Sequence, residues 1–152
     1  MILALFDEAV AWLVAREQPG QWGREPPSQR PETRVRVQEM ATGGGLRVAQ
    51  HDGVTVGALV VGTAPRYAPR REESELYLVL LLVSRKQAGQ SIGTHLIDIA
   101  VNEARERGAV LLRVDCWAGA PGLIRYYERH AFTRAETFCL NGWDGQILER
   151  KL

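Results

Sequence analysis

Cysteine is scarce in this 152-residue chain: Cys116 and Cys139 are its only two. They are too few and too far apart for a disulfide framework or a metal site, so we read them as reduced thiols of a cytoplasmic protein, with no metal expected. Charge of one sign is lacking as well. Nineteen Lys and Arg against eighteen Asp and Glu leave a net charge of +1, which predicts no nucleic-acid footprint and no electrostatic attachment to a membrane. The apolar stretch Leu76–Val83 is too short to cross a bilayer. The N-terminal apolar run is broken by Asp7 and Glu8 and has no basic leader, so no signal peptide is expected. Repeats and low-complexity tracts are missing too. What is present, a 45% hydrophobic composition, fits a single domain over residues 1–152 with a sizeable core.

The organising stretch runs from Glu75 to Phe132. Leu76–Val83 (LYLVLLLV) is almost wholly apolar, the pattern of a central strand covered on both faces. A small-residue turn, Gln87 to Gly93, leads into a helix with Ile92, Leu96, Ile97, Ala100 and Ala104 on one face and Gly108 as its stop. A turn of this kind lets backbone N–H groups converge at the positive end of the helix, where phosphate oxygens can be held without a lysine. Val110–Cys116 is a second strand, reached through a helical crossover and therefore parallel to the first. A short helix over Pro121–Arg129 turns Leu123, Ile124 and Tyr127 to the core, and Phe132 opens another strand.

The remaining segments complete the sheet. Ile2–Glu17 reads as a helix with Ile2, Leu5, Phe6, Ala9, Trp12 and Leu13 over one broad face, ended by Pro19-Gly20. Trp22 sits in a loop rich in proline and glycine, where it either covers the helix end or walls an acceptor pocket. Glu32–Thr42 is a second helix with Val35 and Met40 inward, and Leu46–Gln50 and Val54–Gly62 are strands joined at Asp52-Gly53. Thr63–Ser74 is polar and proline-broken; its Arg66, Arg70 and Arg71 either meet a phosphate or are merely solvated. Phe132–Leu140 and Gln146–Leu152 form a hairpin around residues 141–145. The fold class is thus α/β (α+β), a mixed sheet of about six strands with helices on both faces.

Taken together, Val83, Ala88-Gly89-Gln90-Ser91-Ile92-Gly93 and Tyr126-Tyr127-Glu128-Arg129-His130-Ala131-Phe132 resemble the fingerprint of the GNAT family of N-acetyltransferases. That fingerprint is a strand ending in Val, four residues, Arg or Gln, Gly-x-Gly-x-Gly or Ala opening a helix, and later Leu-Tyr-Glu and Gly-Phe. Here Ala88 stands for the Arg or Gln, Ser91 for the middle glycine and Ala131 for the glycine before Phe132. Ala and Ser fit if φ stays negative at the loop positions. In this family an N-terminal strand precedes the first helix; none is visible here, so the edge strand is missing or the sequence start is truncated.

The resemblance implies acetyl-CoA as co-substrate. Backbone N–H groups of Ala88, Gly89, Gln90, Ser91, Ile92, Gly93 and Thr94 would take its pyrophosphate. Leu81, Leu82 and Val83 would pair with the pantetheine amides, and an N–H near Val79–Leu81 would meet the acetyl oxygen. Tyr127 would protonate the leaving thiolate, Glu75 would serve as the base with Asp115 in reserve, and Trp22 and Asp115 would line the acceptor site. An alkyl amine of pKa about 10.4 carries a handicap of roughly 4 kcal/mol at neutral pH. An oxyanion donor supplies about 3 to 4 kcal/mol. The implied reaction is acetyl transfer to a primary amine, small molecule or peptide, by direct attack in a ternary complex. The alternative is a non-catalytic acyl-CoA-binding sensor with the same fold. A nucleotide-binding domain is the weaker third reading, because the loop lacks a P-loop Lys-Ser/Thr. The identity of the acceptor and the oligomeric state, homodimer included, are left open.

Overall fold

Prolines open two of the four helices. Pro31 and Pro121 occupy first-turn positions, where a missing N–H costs nothing and φ is already helical. The computed structural model describes residues 1–87 and 90–152. In chain order these form α1 (Ile2–Ala15), α2 (Pro31–Thr42), β1 (Leu46–His51), β2 (Val54–Gly62), β3 (Glu75–Val83), α3 (Ile92–Glu106), β4 (Leu111–Trp117), α4 (Pro121–Arg129), β5 (Thr133–Leu140) and β6 (Trp143–Lys151). The six strands make one sheet in the order β1-β2-β3-β4-β6-β5. β3 and β4 are parallel, as the helical crossover requires, whereas β1–β2, β4–β6 and β5–β6 are antiparallel. The chain divides into two compact units, Met1–Val60 with Leu80–Leu96 and Val61–Val79 with Ile97–Leu152.

In the first unit α1 buries Ile2, Leu5, Phe6, Ala9 and Val10. Trp12, expected on that face, is instead partly exposed, with the guanidinium groups of Arg16 and Arg85 3.9 Å and 3.8 Å from its ring centroid. The helix stops before Pro19-Gly20: Glu17 takes a left-handed φ of 57°, and Gln18 and Glu17 donate to the Leu13 and Val14 carbonyls. On α2 the inward residue is Val37, 8% exposed, and not Val35, which is 58% exposed. Met40 lies three residues beyond Val37 and shares its face, a relation Val35 does not have. The β1–β2 hairpin turns at Asp52 and Gly53, both with positive φ (51° and 77°), the two-residue turn that matches strand twist.

In the second unit α3 buries Ile97, Ala100, Val101 and Ala104, and Gly108 (φ 76°) ends the helix. The β5–β6 connection is tighter than the expected five residues. Asn141 and Gly142 alone make it, at φ 50° and 81°, because this pair tolerates left-handed backbone at both positions. β4 is buried along most of its length, and its centre holds Arg113, fully enclosed at 0% exposure.

Candidate functional site

In the first unit the candidate residues lie at the exit from β3. Through Leu78 the strand is buried on both faces, but from Val79 the pattern alternates: Val79, Leu81 and Val83 are half-buried while Leu80 and Leu82 are buried. The expectation of full cover therefore holds only for the first half. Over the same strand, the parallel register with β4 ends at Leu78↔Val114, whereas β4 stays in register with β6 through Trp117.

Beyond Val83 the backbone is anchored on α1. Glu8 accepts from the Arg85 N–H at 2.6 Å and the Ser84 hydroxyl at 3.2 Å, and the Ser84 N–H donates to the Val56 carbonyl at 2.8 Å. Ala88 and Gly89 lie outside the described residues. Gln90, expected to offer its N–H to phosphate, donates it to the Gln87 carbonyl at 3.3 Å. Ser91 takes φ 58°, so the negative φ expected there does not hold; its carbonyl accepts from His95 at 3.1 Å and starts α3. The leading N–H groups of a helix have no intrahelical acceptor, and here they belong to Ile92 and Gly93. Gly57 on β2 lets this first turn sit close: a Cβ there would meet Ile92 at 2.9 Å, Leu96 at 3.0 Å and the Leu82 carbonyl at 3.3 Å.

In the second unit, alternation brings Glu75 and Tyr77 of β3 beside Arg113 and Asp115 of β4 on one face of the sheet. Arg113 grips Glu75 with two parallel bonds, Nε to Oε2 at 2.5 Å and Nη2 to Oε1 at 2.9 Å, and donates to the Pro69 carbonyl at 2.9 Å. Glu75 raises the Arg113 pKa, outweighing the lowering effect of burial. Glu75, expected as the base, is thus the counter-ion of an enclosed guanidinium, with both carboxylate oxygens engaged.

Asp115 is the centre of a phenol pair: its Oδ2 accepts from the Tyr77 hydroxyl and from the Tyr67 hydroxyl at 3.1 Å. Burial, followed by the charge of Asp115, pushes the Tyr77 hydroxyl well above the ordinary phenol range, so Tyr77 donates and does not ionise. Tyr67 stacks on Phe138 at 4.9 Å between centroids, and Phe138 meets Trp143 at 5.7 Å. Gly145 permits this, since a Cβ there would lie 2.2 Å from the Phe138 ring.

Tyr127 lies on α4 at 5% exposure, and burial raises its hydroxyl pKa. The end of α4 holds it. Phe132 N–H donates to the Tyr127 carbonyl and Ala131 N–H to that of Glu128, both at 3.2 Å, while the Phe132 ring packs edge-on against Tyr127 at 5.6 Å. This is a Schellman ending with its hydrophobic contact, and Ala131 occupies the left-handed position at φ 66°. Among the described residues the Tyr127 hydroxyl has no hydrogen-bond partner, yet no fully buried side-chain oxygen or nitrogen lacks one. Its oxygen therefore reaches accessible space.

Trp22 packs edge-on against Phe6 of α1 at 4.9 Å, and its carbonyl accepts from Arg30, an arrangement that covers the helix. Of the three loop arginines, Arg71 is bound to Glu73 and Glu149 while Arg66 and Arg70 are exposed. The sequence reading missed Tyr67, Arg113 and Phe138. A charged residue in the middle of an apolar strand was the available signal, because an enclosed guanidinium demands a partner.

Comparison with known proteins bears on the family and the fold. The family model described as acetyltransferase (GNAT) family matches residues 8–132. Acetyltransferase Atu2258 of Agrobacterium fabrum is 33% identical over 89 residues, which cover 59% of this chain and 58% of that protein's length. The structure of ribosomal-protein-alanine N-acetyltransferase from Brucella melitensis superposes with a TM-score of 0.70 at 23% identity, over 99% of this chain and 92% of that one. A GNAT family acetyltransferase from Elizabethkingia anophelis, solved with acetyl-CoA bound, gives a TM-score of 0.62 at 18% identity over 80% and 85%. At such identities the structural likeness speaks for the fold, and the family match, across most of the sequence, places this chain in the acetyltransferase (GNAT) family.

Proposed function

We propose that this acetyltransferase moves an acetyl group from acetyl-CoA to a primary amine by direct attack while both substrates are bound. The observation that carries the reading is in β3: Val79, Leu81 and Val83 are incompletely covered apolar residues on the stretch beyond the last β3–β4 pair. An extended chain bearing amides can add to such a strand through main-chain hydrogen bonds. In this reading Leu81–Val83 take the pantetheine, the leading N–H groups of Ile92 and Gly93 take the pyrophosphate, and a β3 N–H near Val79–Leu81 meets the acetyl oxygen. Tyr127, protonated at neutral pH like any phenol, gives its proton to the departing thiolate. Asp115 serves the acceptor and Glu75 steadies the sheet face through Arg113. Direct attack is favoured over an acyl-cysteine because the Cys116 thiol is buried and pushed up to about 12, which leaves almost no thiolate near pH 7.

The test is thiol release from acetyl-CoA with a panel of primary amines, read with a disulfide reagent and corrected for protein thiol. Release that requires both substrates, with intersecting double-reciprocal lines, is the expected outcome. Acetyl-CoA binding without release for any amine would assign the chain to non-catalytic acyl-CoA recognition, and parallel lines would indicate a covalent intermediate.

A further inference from the structure

The sheet face around Asp115 has more recognition chemistry than acetyl transfer by itself requires. Five side chains define it: Asp115 on β4, Tyr77 on β3, Tyr67 in the 63–74 connection, Phe138 on β5 and Trp143 on β6. Tyr77, 1% exposed, donates to Oδ2 of Asp115, the same oxygen that accepts from Tyr67. Tyr67, Phe138 and Trp143 are only half-buried and form a continuous aromatic wall, with centroid spacings of 4.9 Å and 5.7 Å. Ala68 and Ile147, both buried, back this wall with Tyr77. Acidic groups surround Arg113: Glu75 forms a two-bond fork with it and Glu136 lies 3.8 Å away, while the neighbouring Arg71 is bound to Glu73 and Glu149.

We propose that Asp115 and the Tyr67–Phe138–Trp143 wall form an acceptor subsite for a primary ammonium group carried next to an aromatic or apolar group. The inference rests on the amine-acetyltransferase reading and narrows it to a substrate class. A carboxylate already held by two phenols provides a fixed counter-charge for the ammonium. The adjacent ring faces attract the same cation and accommodate the apolar carbon attached to it. Nothing in this constellation suits an anionic acceptor, since Arg113 is committed to Glu75 by two bonds. Tyr67 serves both parts of the subsite: its hydroxyl donates to Asp115 and its ring extends the wall.

Titration calorimetry of the full chain saturated with CoA tests this with 2-phenylethylamine and its neutral counterpart 2-phenylethanol. The amine should bind about tenfold or more tightly than the alcohol, because a site built around a charged partner rejects an analogue lacking it. Asp115→Asn should bring the two probes to similar affinity, and Tyr67→Ala should weaken both. Should Asp115→Asn fail to fold, Phe138→Leu provides the second variant, expected to weaken both probes. Equal affinities in the unaltered chain, an ammonium preference that survives Asp115→Asn, or no binding of either probe would overturn the proposal. These readouts are of binding, so ammonium selectivity without any CoA release would leave the subsite standing and defeat the acetyl-transfer reading. CoA release with other amines and no ammonium preference would do the reverse.

Discussion

Replacing Ala131 by glycine should make the protein more stable, although it removes a methyl group. Ala131 holds φ 66° at the left-handed position that ends α4, where the Ala131 and Phe132 N–H groups satisfy the Glu128 and Tyr127 carbonyls. A left-handed conformation costs an L-residue roughly 1 to 2 kcal/mol, a cost glycine does not bear. Glycine also gains freedom in the unfolded chain, which offsets about 0.4 to 1 kcal/mol of that relief. The net expectation is a stabilisation of about 0.5 to 1 kcal/mol, or a rise in melting temperature of about 1 to 4 °C for a domain of this size. Gly108 supplies the mirror experiment. It occupies the same position at the end of α3 with φ 76°, and a Cβ there would meet nothing within 4 Å, so Gly108→Ala isolates the backbone cost and should lower the melting temperature. Differential scanning calorimetry of both variants reads the two shifts directly. A fall for Ala131→Gly, or no change for Gly108→Ala, would refute the assignment of left-handed strain to these helix ends.

Other expectations follow from the same geometry. Tyr127→Phe should lower kcat by about 10²-fold or more with acetyl-CoA affinity nearly unchanged, the pattern of a lost proton donor; equal loss in both would point to a packing role. Glu75→Gln should cost about 3 to 5 kcal/mol in urea unfolding, because it strands the enclosed Arg113 guanidinium without its counter-charge. Gly57→Ala should destabilise by about 1 to 3 kcal/mol and weaken acetyl-CoA binding by calorimetry, since the new methyl pushes on Ile92 and Leu96 at the start of α3. At pH 8 iodoacetamide should modify exposed Cys139 and spare buried Cys116, giving one adduct by mass spectrometry and two after denaturation. Because the Cys116 thiol is raised from 9 to about 12, folding favours its protonated form: that contribution is whole below pH 9 and is lost as the pH climbs toward 12.

Much of the fold could be read from periodicity and turn chemistry. Helix α4 spans the residues expected of it, and of the five apolar residues expected inward on α3 Leu96, Ile97, Ala100 and Ala104 are buried while Ile92 in the first turn is half-buried. Where apolar residues are sparse the reading slipped. On α2 two valines two positions apart cannot share a face, and only tertiary packing chose Val37 over Val35. The 63–74 connection reads as polar and proline-broken, its arginines either on a phosphate or solvated, yet it places buried Ala68, half-buried Tyr67 and the Pro69 carbonyl on the sheet face. Its contribution lies in isolated residues whose neighbours are charged, so no local average reveals it. The role of Glu75 was illegible for another reason: its fork with Arg113 depends on the β3–β4 register, Tyr77 opposite Arg113, which two separated strands do not announce.

The departures from the glycine pattern carry a further lesson about what a fingerprint encodes. Ser91 and Ala131 stand where glycine is expected, and both adopt left-handed backbone, at φ 58° and 66°. Neither residue follows such a path as easily as glycine does. At Ala131 that path brings the Phe132 N–H onto the Tyr127 carbonyl and the Phe132 ring onto the Tyr127 ring; at Ser91 it sets the carbonyl that receives the His95 N–H and starts α3. Both conformations orient proposed machinery, the phenol in one case and the leading helix amides in the other, so the fold tolerates the strain and does not relax into a negative φ. It follows that glycine at either position should raise stability and leave the geometry of Tyr127 and α3 as it is, whereas a β-branched residue there should disturb both.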